Sequence, residues 1–472
     1  MCDKNVVKGS TDRFCLFNQI RNLFSLRSKR YSIKSITNSD NRITSSVSEI
    51  TENNVRNKEL INELKSQCAT LAIRLQTVHW ELILSRLYSY HVNGRKIRIG
   101  FYVIFDGIFP AASVFEKFIE DKDFEAFILV IPDVSRGEEH MLDQLYKTYN
   151  GLKKRYKNVY MSYDEKTRTF IDFSDKNDIV FFANPYDIMT YEYYGIDTLV
   201  NKNKLTLYTN YGYQTSNSTG KMFGFYYFKK LWKIFLLDKH EQELLLANNP
   251  IATNGHLVGY SKLDRLASIE KKLRSRKKII IAPHHTVDSI RKDLALSTFL
   301  SYSNFFLTLF KKYTNIDFVF RPHPLLWIQL ERYNIWTEQQ IHEYLSRISE
   351  LENVEYQGGG DYLETFVNSD ALIHDCGSFA AEYLFVNKPC CFLLKNDAMM
   401  DLNSNDFHKK CISLHYPAYN EQDIIDFIEN MVIRNNDNKV QDRQNFVQTE
   451  LMFKHPNVSM EIYKLIKHDI GI

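Results

Sequence analysis

Between residues 59 and 90, apolar side chains recur at Leu60, Leu64, Cys68, Leu71, Leu75, Val78 and Leu82. Steps of three and four place them on one face of a long α-helix. That face suits either a second subunit or the body of the same protein, and the spacing alone leaves both open. After residue 95 the pattern shortens. Strand-like apolar runs follow at 97–105, 126–131, 158–161, 178–183 and 204–208, separated by helical or irregular segments. A basic stretch at 271–278 opens a second series, with strands at 279–282, 316–320, near Val354, at 371–374 and from Pro389. Helices are expected between them at about 298–312, 337–348 and 378–386. Strands alternating with helices predict parallel sheets covered on both faces, which gather ligands at the carboxyl ends of their strands.

The alternation occurs twice, and a helix expected at 450–467 is available to cross back. The expected fold is therefore α/β, with two Rossmann-like domains in a GT-B-like arrangement and a helical N-terminal extension. The divisions fall at 1–92, 93–270 and 271–472. Residues 1–36 carry eight lysines and arginines against two acids, with apolar residues interleaved. This is the pattern of a loosely ordered or docked leader, or of a basic helix lying on an anionic membrane. Residues 37–54, rich in Ser, Thr and Asn, read as a linker.

Composition narrows the classes. Apolar content of 44% and charged content of 25% are ordinary for a soluble globular chain. A net charge of +3 argues against a dedicated nucleic-acid binder. The 7 cysteines are odd in number, scattered, and form no C-x-x-C pair, so neither a disulfide framework nor a structural zinc site is expected, and a reducing cytosol is the expected compartment. The long uncharged run at 294–310 is interrupted by serines, threonines and Asn304, which removes transmembrane character. The expected location is cytoplasmic, with peripheral contact to the inner face of the cell membrane through the basic leader.

Candidate chemistry collects at three strand ends of the second half. His284 and His285 follow one strand, Arg321-Pro-His323-Pro the next, and Asp375-Cys-Gly377-Ser378 the third. In an open α/β sheet these loops meet at one edge. Imidazoles, a guanidinium and a helix start would cradle a diphosphate, cations neutralising it and amides donating to it. The flanking prolines stiffen the loop that carries His323. Gly377 allows a sharp turn, and Ser378 is expected to cap the following helix. Glu382, one turn on, is placed to accept ribose or polyol hydroxyls. The histidines lack i,i+4 helical spacing and a nearby cysteine, so no metal is expected, and no other cofactor. In the first half, Asp106 and the loop 209–214 lie at strand ends.

The segments 278–284, 320–324 and 372–389, in this order, resemble the CDP-glycerol glycerophosphotransferase family of teichoic-acid and capsular-polymer transferases, and Val258-Gly259 with Asp264 resembles its inter-domain signature. The resemblance covers roughly residues 96–463. It implies a GT-B fold, an acceptor held by the domain at 93–270 and a nucleotide-diphosphate donor held by the domain at 271–472. It implies donor contacts at His323, Ser378 and Glu382. The family's Trp-His-Gly-Thr motif, whose histidine is the general base, corresponds here to Asn210-Tyr211-Gly212-Tyr213. With an ordinary pKa near 10, Tyr211 is a poor base at neutral pH. Asp106 is then the first candidate to take the acceptor's proton, with His284 or His285 second. The expected activity is transfer from a CDP-polyol, such as CDP-glycerol or CDP-ribitol, onto a polysaccharide or lipid-linked acceptor. The alternatives are a glycosyltransferase using a UDP- or CMP-sugar, a sugar-nucleotide epimerase, and a non-catalytic partner subunit. The stripe at 59–90 would serve any homo-oligomer.

Overall fold

The computed structural model describes residues 33–216, 219–250, 252–287, 296–395 and 404–472. The chain divides into two compact units, 1–76 and 77–472. Most of the basic leader, residues 1–32, lies outside the described residues. Helix α1 runs unbroken from Ile33–Val92, so the linker expected at 37–54 is helical instead. The stretch contains no glycine or proline. Once a helix is nucleated, serines, threonines and asparagines are weak formers that it propagates through, not breakers.

The second unit holds two large sheets and a small antiparallel pair, Tyr163–Asp164 with Thr169–Phe170. The first contains β1 (Ile97–Val103), β2 (Phe124–Val130), β3 (Val159–Met161), β4 (Ile179–Phe182), β5 (Leu205–Thr209), β6 (Lys233–Leu236) and β7 (Gly255–Leu257). All are parallel, in the order β3-β2-β1-β4-β5-β6-β7. Its central strands are buried along nearly their whole length, which is why they read as continuous apolar runs such as Ile179–Phe182, while β3 and β7 at the edges are only partly covered. The second sheet contains β8 (Lys277–Ala282), β9 (Ile316–Phe320), β10 (Val354–Tyr356), β11 (Ala371–His374), β12 (Cys390–Leu393) and β13 (Tyr416–Ala418), again parallel, in the order β10-β9-β8-β11-β12-β13. In each large sheet the strand order reverses beside the first strand, at β1/β4 and at β8/β11. Those are the two switch points where a doubly wound sheet opens a crevice.

Helices α2 (Ala112–Glu120), α3 (Glu138–Arg155) and α4 (Lys239–Asn248) belong to the first half, and α5 (Phe299–Lys312) and α6 (Glu338–Ser349) to the second. The short α7 (Phe379–Glu382) continues as a 3-10 turn, Tyr383–Val386. The last helix, α8 (Val458–Ile470), returns to the first sheet and buries Val458, Ile462, Ile466 and Ile470 in its core. Asp264 fixes that return. Its carboxylate accepts the amides of Val458 at 3.2 Å and Ser459 at 2.7 Å, and the Ser459 hydroxyl at 2.8 Å. The single late helix expected at 450–467 is two pieces, because Pro456 supplies no amide to continue the ladder. Strands β6, β7 and β13 also escaped the sequence pattern. At three or four residues each they are too short to show a period. Among the described residues no helix is long and apolar enough to cross a membrane.

Candidate functional site

The loops that leave β8, β9 and β11 sit at the switch point of the second sheet. They bring His284, His285 and His323 together, with ring centroids 4.3 Å (284–285), 4.0 Å (285–323) and 5.4 Å (284–323) apart. The rings are half-buried. Burial, and then the neighbouring imidazoles, hold His284 and His323 well below the usual histidine range, so both are neutral at pH 7.

Local hydrogen bonds fix which nitrogen carries the proton. The Leu325 amide donates to Nδ1 of His323 at 3.1 Å, so the neutral ring carries its proton on Nε2. The Thr286 amide donates to Nδ1 of His284 at 3.4 Å, and Thr286 Oγ1 stands 2.8 Å from the same nitrogen. His284 is thereby also the Nε2–H tautomer. Nitrogens of the three rings lie within 4.8 Å of one another, a spacing compatible with a metal ion. Ligation through Nε2 would move the ring proton to Nδ1, against the Leu325 amide in the case of His323. The donor set fits an oxyanion better than a cation.

The other residues at this edge divide. Asp375 is fully buried and spent on the protein: it accepts the His284 amide at 2.5 Å, the Thr298 hydroxyl at 2.8 Å, and the Thr298 amide. Burial nevertheless pushes its carboxyl up to about 6. It ties the β8 loop to the start of α5. Arg321 is 7% exposed and donates to Gln357 Oε1 at 2.7 Å and to the Gly360 carbonyl, which leaves part of its five-donor fork for a ligand. Ser378 does not cap α7. Its backbone is already helical and its hydroxyl bonds Glu382 instead. The amides of Gly377 and Ser378 donate to no described residue.

Sequence reasoning overlooked the residues around Glu382. Its buried carboxylate accepts the Tyr362 hydroxyl, and Lys262 Nζ stands over the Tyr362 ring at 3.9 Å. Burial raises Glu382 to about 7, while Lys262, Tyr362 and Ser378 pull it down. Tyr362 lies in no motif, Lys262 falls between the Val258-Gly259 and Asp264 of the inter-domain stretch without having been singled out, and only the folded chain brings them to Glu382.

The first sheet reaches the same place. A Cβ on Gly212 would lie 3.2 Å from Ser378 Cβ and 3.6 Å from Glu382 Oε1. A Cβ on Gly377 would lie 2.5 Å from Thr215 Oγ1. The loop after β5 therefore meets the loop after β11 across the cleft, and glycine is what allows the approach. Tyr211 is held by its hydroxyl, 3.1 Å from that of Tyr186, and by its carbonyl, which accepts Tyr260 Oη at 2.7 Å. Burial, and then Tyr186, push its pKa well above the usual tyrosine value. Asp106, half-buried at the end of β1, turns onto α3. Its Oδ2 is 4.0 Å from Arg155 and packs over Gly151.

A second histidine group lies deeper. The Cys376 amide donates to His374 Nδ1 (3.1 Å), His374 Nε2–H faces His415 Nδ1 (3.4 Å), and His415 Nε2–H donates to the Ala380 carbonyl (3.0 Å). Cys390 completes a buried trio with metal-like spacing. Every ring nitrogen of this pair is already used.

No protein-family model matches the chain, and no curated protein sequence does. Solved structures do. The wall teichoic acid polymerase TagF superposes with a TM-score of 0.52 at 13% identity, over 79% of this chain and 88% of that one. A variant of the same polymerase gives 0.50 at 12% identity, over 83% and 98%. The S. aureus MnaA–UDP co-structure gives 0.49 at 14% identity, over 79% and 96%. At such identities the likeness is one of fold, and the fold is the two-domain GT-B arrangement.

Proposed function

We propose that this chain is a transferase that draws on a nucleotide-activated donor, with CDP-glycerol or CDP-ribitol as the favoured class. It would extend a capsular, teichoic-acid-like or lipopolysaccharide-linked polymer on a polysaccharide or lipid-linked acceptor. The observation that carries this reading is the clustering of His284, His285 and His323 at the switch point of a sheet whose β11 loop carries the amides of Gly377 and Ser378, which donate to no described residue. That is a seat for phosphate oxygens, with Arg321 and His285 alongside. The acceptor hydroxyl would enter from the first-sheet side, past Tyr211 and Gly212. Its oxygen bonds the phosphorus of the polyol phosphate, the bond from that phosphorus to CMP breaks, and the acceptor proton passes to a carboxylate, for which Asp106 is the first-sheet candidate. The leaving CMP phosphate collects the histidine N–H bonds. The enzyme would work in the cytoplasm at the inner face of the membrane.

A second reading, a nucleotide-binding partner without turnover, is favoured by one observation: the tyrosine at the family's histidine position is buried and its pKa is raised, which disqualifies it as a base. Labelled CDP-glycerol and CDP-ribitol with a lipid-linked acceptor, run beside UDP- and CMP-sugars, test both. Turnover of a CDP-polyol supports the first reading. Turnover of a sugar nucleotide alone reassigns the donor. Nucleotide binding with no turnover of any donor supports the second.

A further inference from the structure

We propose that α1 pairs with α1 of a second copy of this chain as a parallel two-stranded coiled coil. The reading is independent of the cleft. From residue 61 to 82 the helix keeps a heptad repeat, with Ile61, Cys68, Leu75 and Leu82 at a and Leu64, Leu71 and Val78 at d. A strict 3.5-residue repeat belongs to a helix that supercoils with another helix. None of these side chains is covered. Ile61 is 51% exposed, Leu64 58%, Leu71 57%, Leu75 71%, Val78 51% and Leu82 67%, and Cys68 is exposed as well.

The body of the protein uses a different face of α1. Ile83 and Leu87 are buried in the first-sheet core, with Trp80 and Leu84 packed against it. Those are b, c and f positions, whereas Val78 and Leu82 of the same segment lie at d and a and stay exposed. The seam is about 33 Å long at the rise of an α-helix. Among the described residues the next longest helix, Glu138–Arg155, has 18 residues and already buries Met141, Leu145 and Leu152. A second α1 brings a seam of matching length and period. At roughly 100 Å² for each exposed aliphatic side chain, two seams cover on the order of 1,200 Å², the size of a specific interface.

The parallel register follows from the polar positions. Asn54 falls at a, where asparagine pairs across a parallel dimer and fixes its alignment. The g-to-e pairs bring no two permanently like charges together, and Arg86 at e is held by its own chain, donating to the Asn203 carbonyl at 2.9 Å. Cys68 then lies beside Cys68 of the partner subunit.

Light scattering on the full chain at micromolar concentration tests the pairing. The wild type should have about twice the 55.7 kDa chain mass, and Leu71→Glu/Leu75→Glu should have the mass of one chain with an unchanged melting temperature. In a Cys2→Ser/Cys15→Ser background, copper–phenanthroline should link Cys68 to its counterpart, and Cys68→Ser should abolish the link. The other described cysteines are buried. A monomeric wild type, or a double glutamate variant that stays dimeric, would overturn the proposal. A dimer that never cross-links at Cys68 overturns the parallel register. A monomer that sediments with phosphatidylglycerol vesicles, and stops doing so in the glutamate variant, assigns the seam to a membrane and overturns it too.

Discussion

Two groups of histidines sit at strands of the same sheet, His284 and His323 after β8 and β9, His374 and His415 at β11 and before β13, yet they are built to opposite ends. His374 and His415 are buried, and each ring nitrogen has a partner inside the protein. His284 and His323 use one nitrogen each on the loop that holds them and keep the other, a donor, for the crevice. Similar spacing and the same residue type thus give a structural pair in one place and, in the reading proposed above, an anion seat in the other. What separates them is the hydrogen-bond bookkeeping of the second nitrogen, which no count of histidines reveals.

The widest gap between the groups should appear in turnover. His284→Ala/His323→Ala is expected to lower kcat/KM for the CDP-polyol by about 100–1,000-fold, since each lost donor to a developing charge is costly, while the melting temperature stays near that of the wild type. A large loss of stability would dissolve the distinction.

The reverse substitution should fall on stability. His415→Ala leaves the Ala380 carbonyl and His374 Nε2 without a partner and opens a cavity, at a cost of about 2–4 kcal/mol by denaturant unfolding, with nucleotide affinity unchanged. That cost should itself depend on pH. Burial lowers the His415 pKa to about 3. A base whose folded pKa is depressed contributes its full stability above its unfolded value of about 6.5, and loses it as pH falls toward the folded one. The difference between wild type and variant should therefore shrink by about 1.4 kcal/mol per pH unit below 6.5. A constant difference from pH 7 to 4 would mean that His415 is not held neutral.

The smallest effect concerns the meeting of the two domains at the seat. In Gly212→Ala the new methyl would press on Ser378. The crowding should cost about 1 kcal/mol, read as a several-fold rise in KM with kcat retained. Unchanged kinetics would place the acceptor elsewhere.

Much of the scaffold was legible because its strands are buried on both faces, and runs such as Ile279 to Ala282 or Ala371 to His374 have one reading. The strand ends carrying His284, His285 and His323 could be named for the same reason: each follows such a run. Strand β13 was hidden because its middle residue is Pro417, tolerated at a sheet edge. The helix at 37–54 was hidden because polar composition mimics a linker. Ser378 has the residue type of a cap but not its backbone, since the chain is already helical there. His415 and Tyr362 belong to no motif, Lys262 stands in the inter-domain stretch with nothing to single it out, and their roles exist only through contacts made by distant segments.

The most direct measurement is calorimetric titration of the full chain with CDP and, separately, with zinc, for the wild type and for His284→Ala/His323→Ala. The account predicts that CDP binds the wild type and at least about 100-fold more weakly the variant, while zinc binds both alike. Tight zinc binding that disappears in the variant, with CDP affinity unaltered, would contradict it.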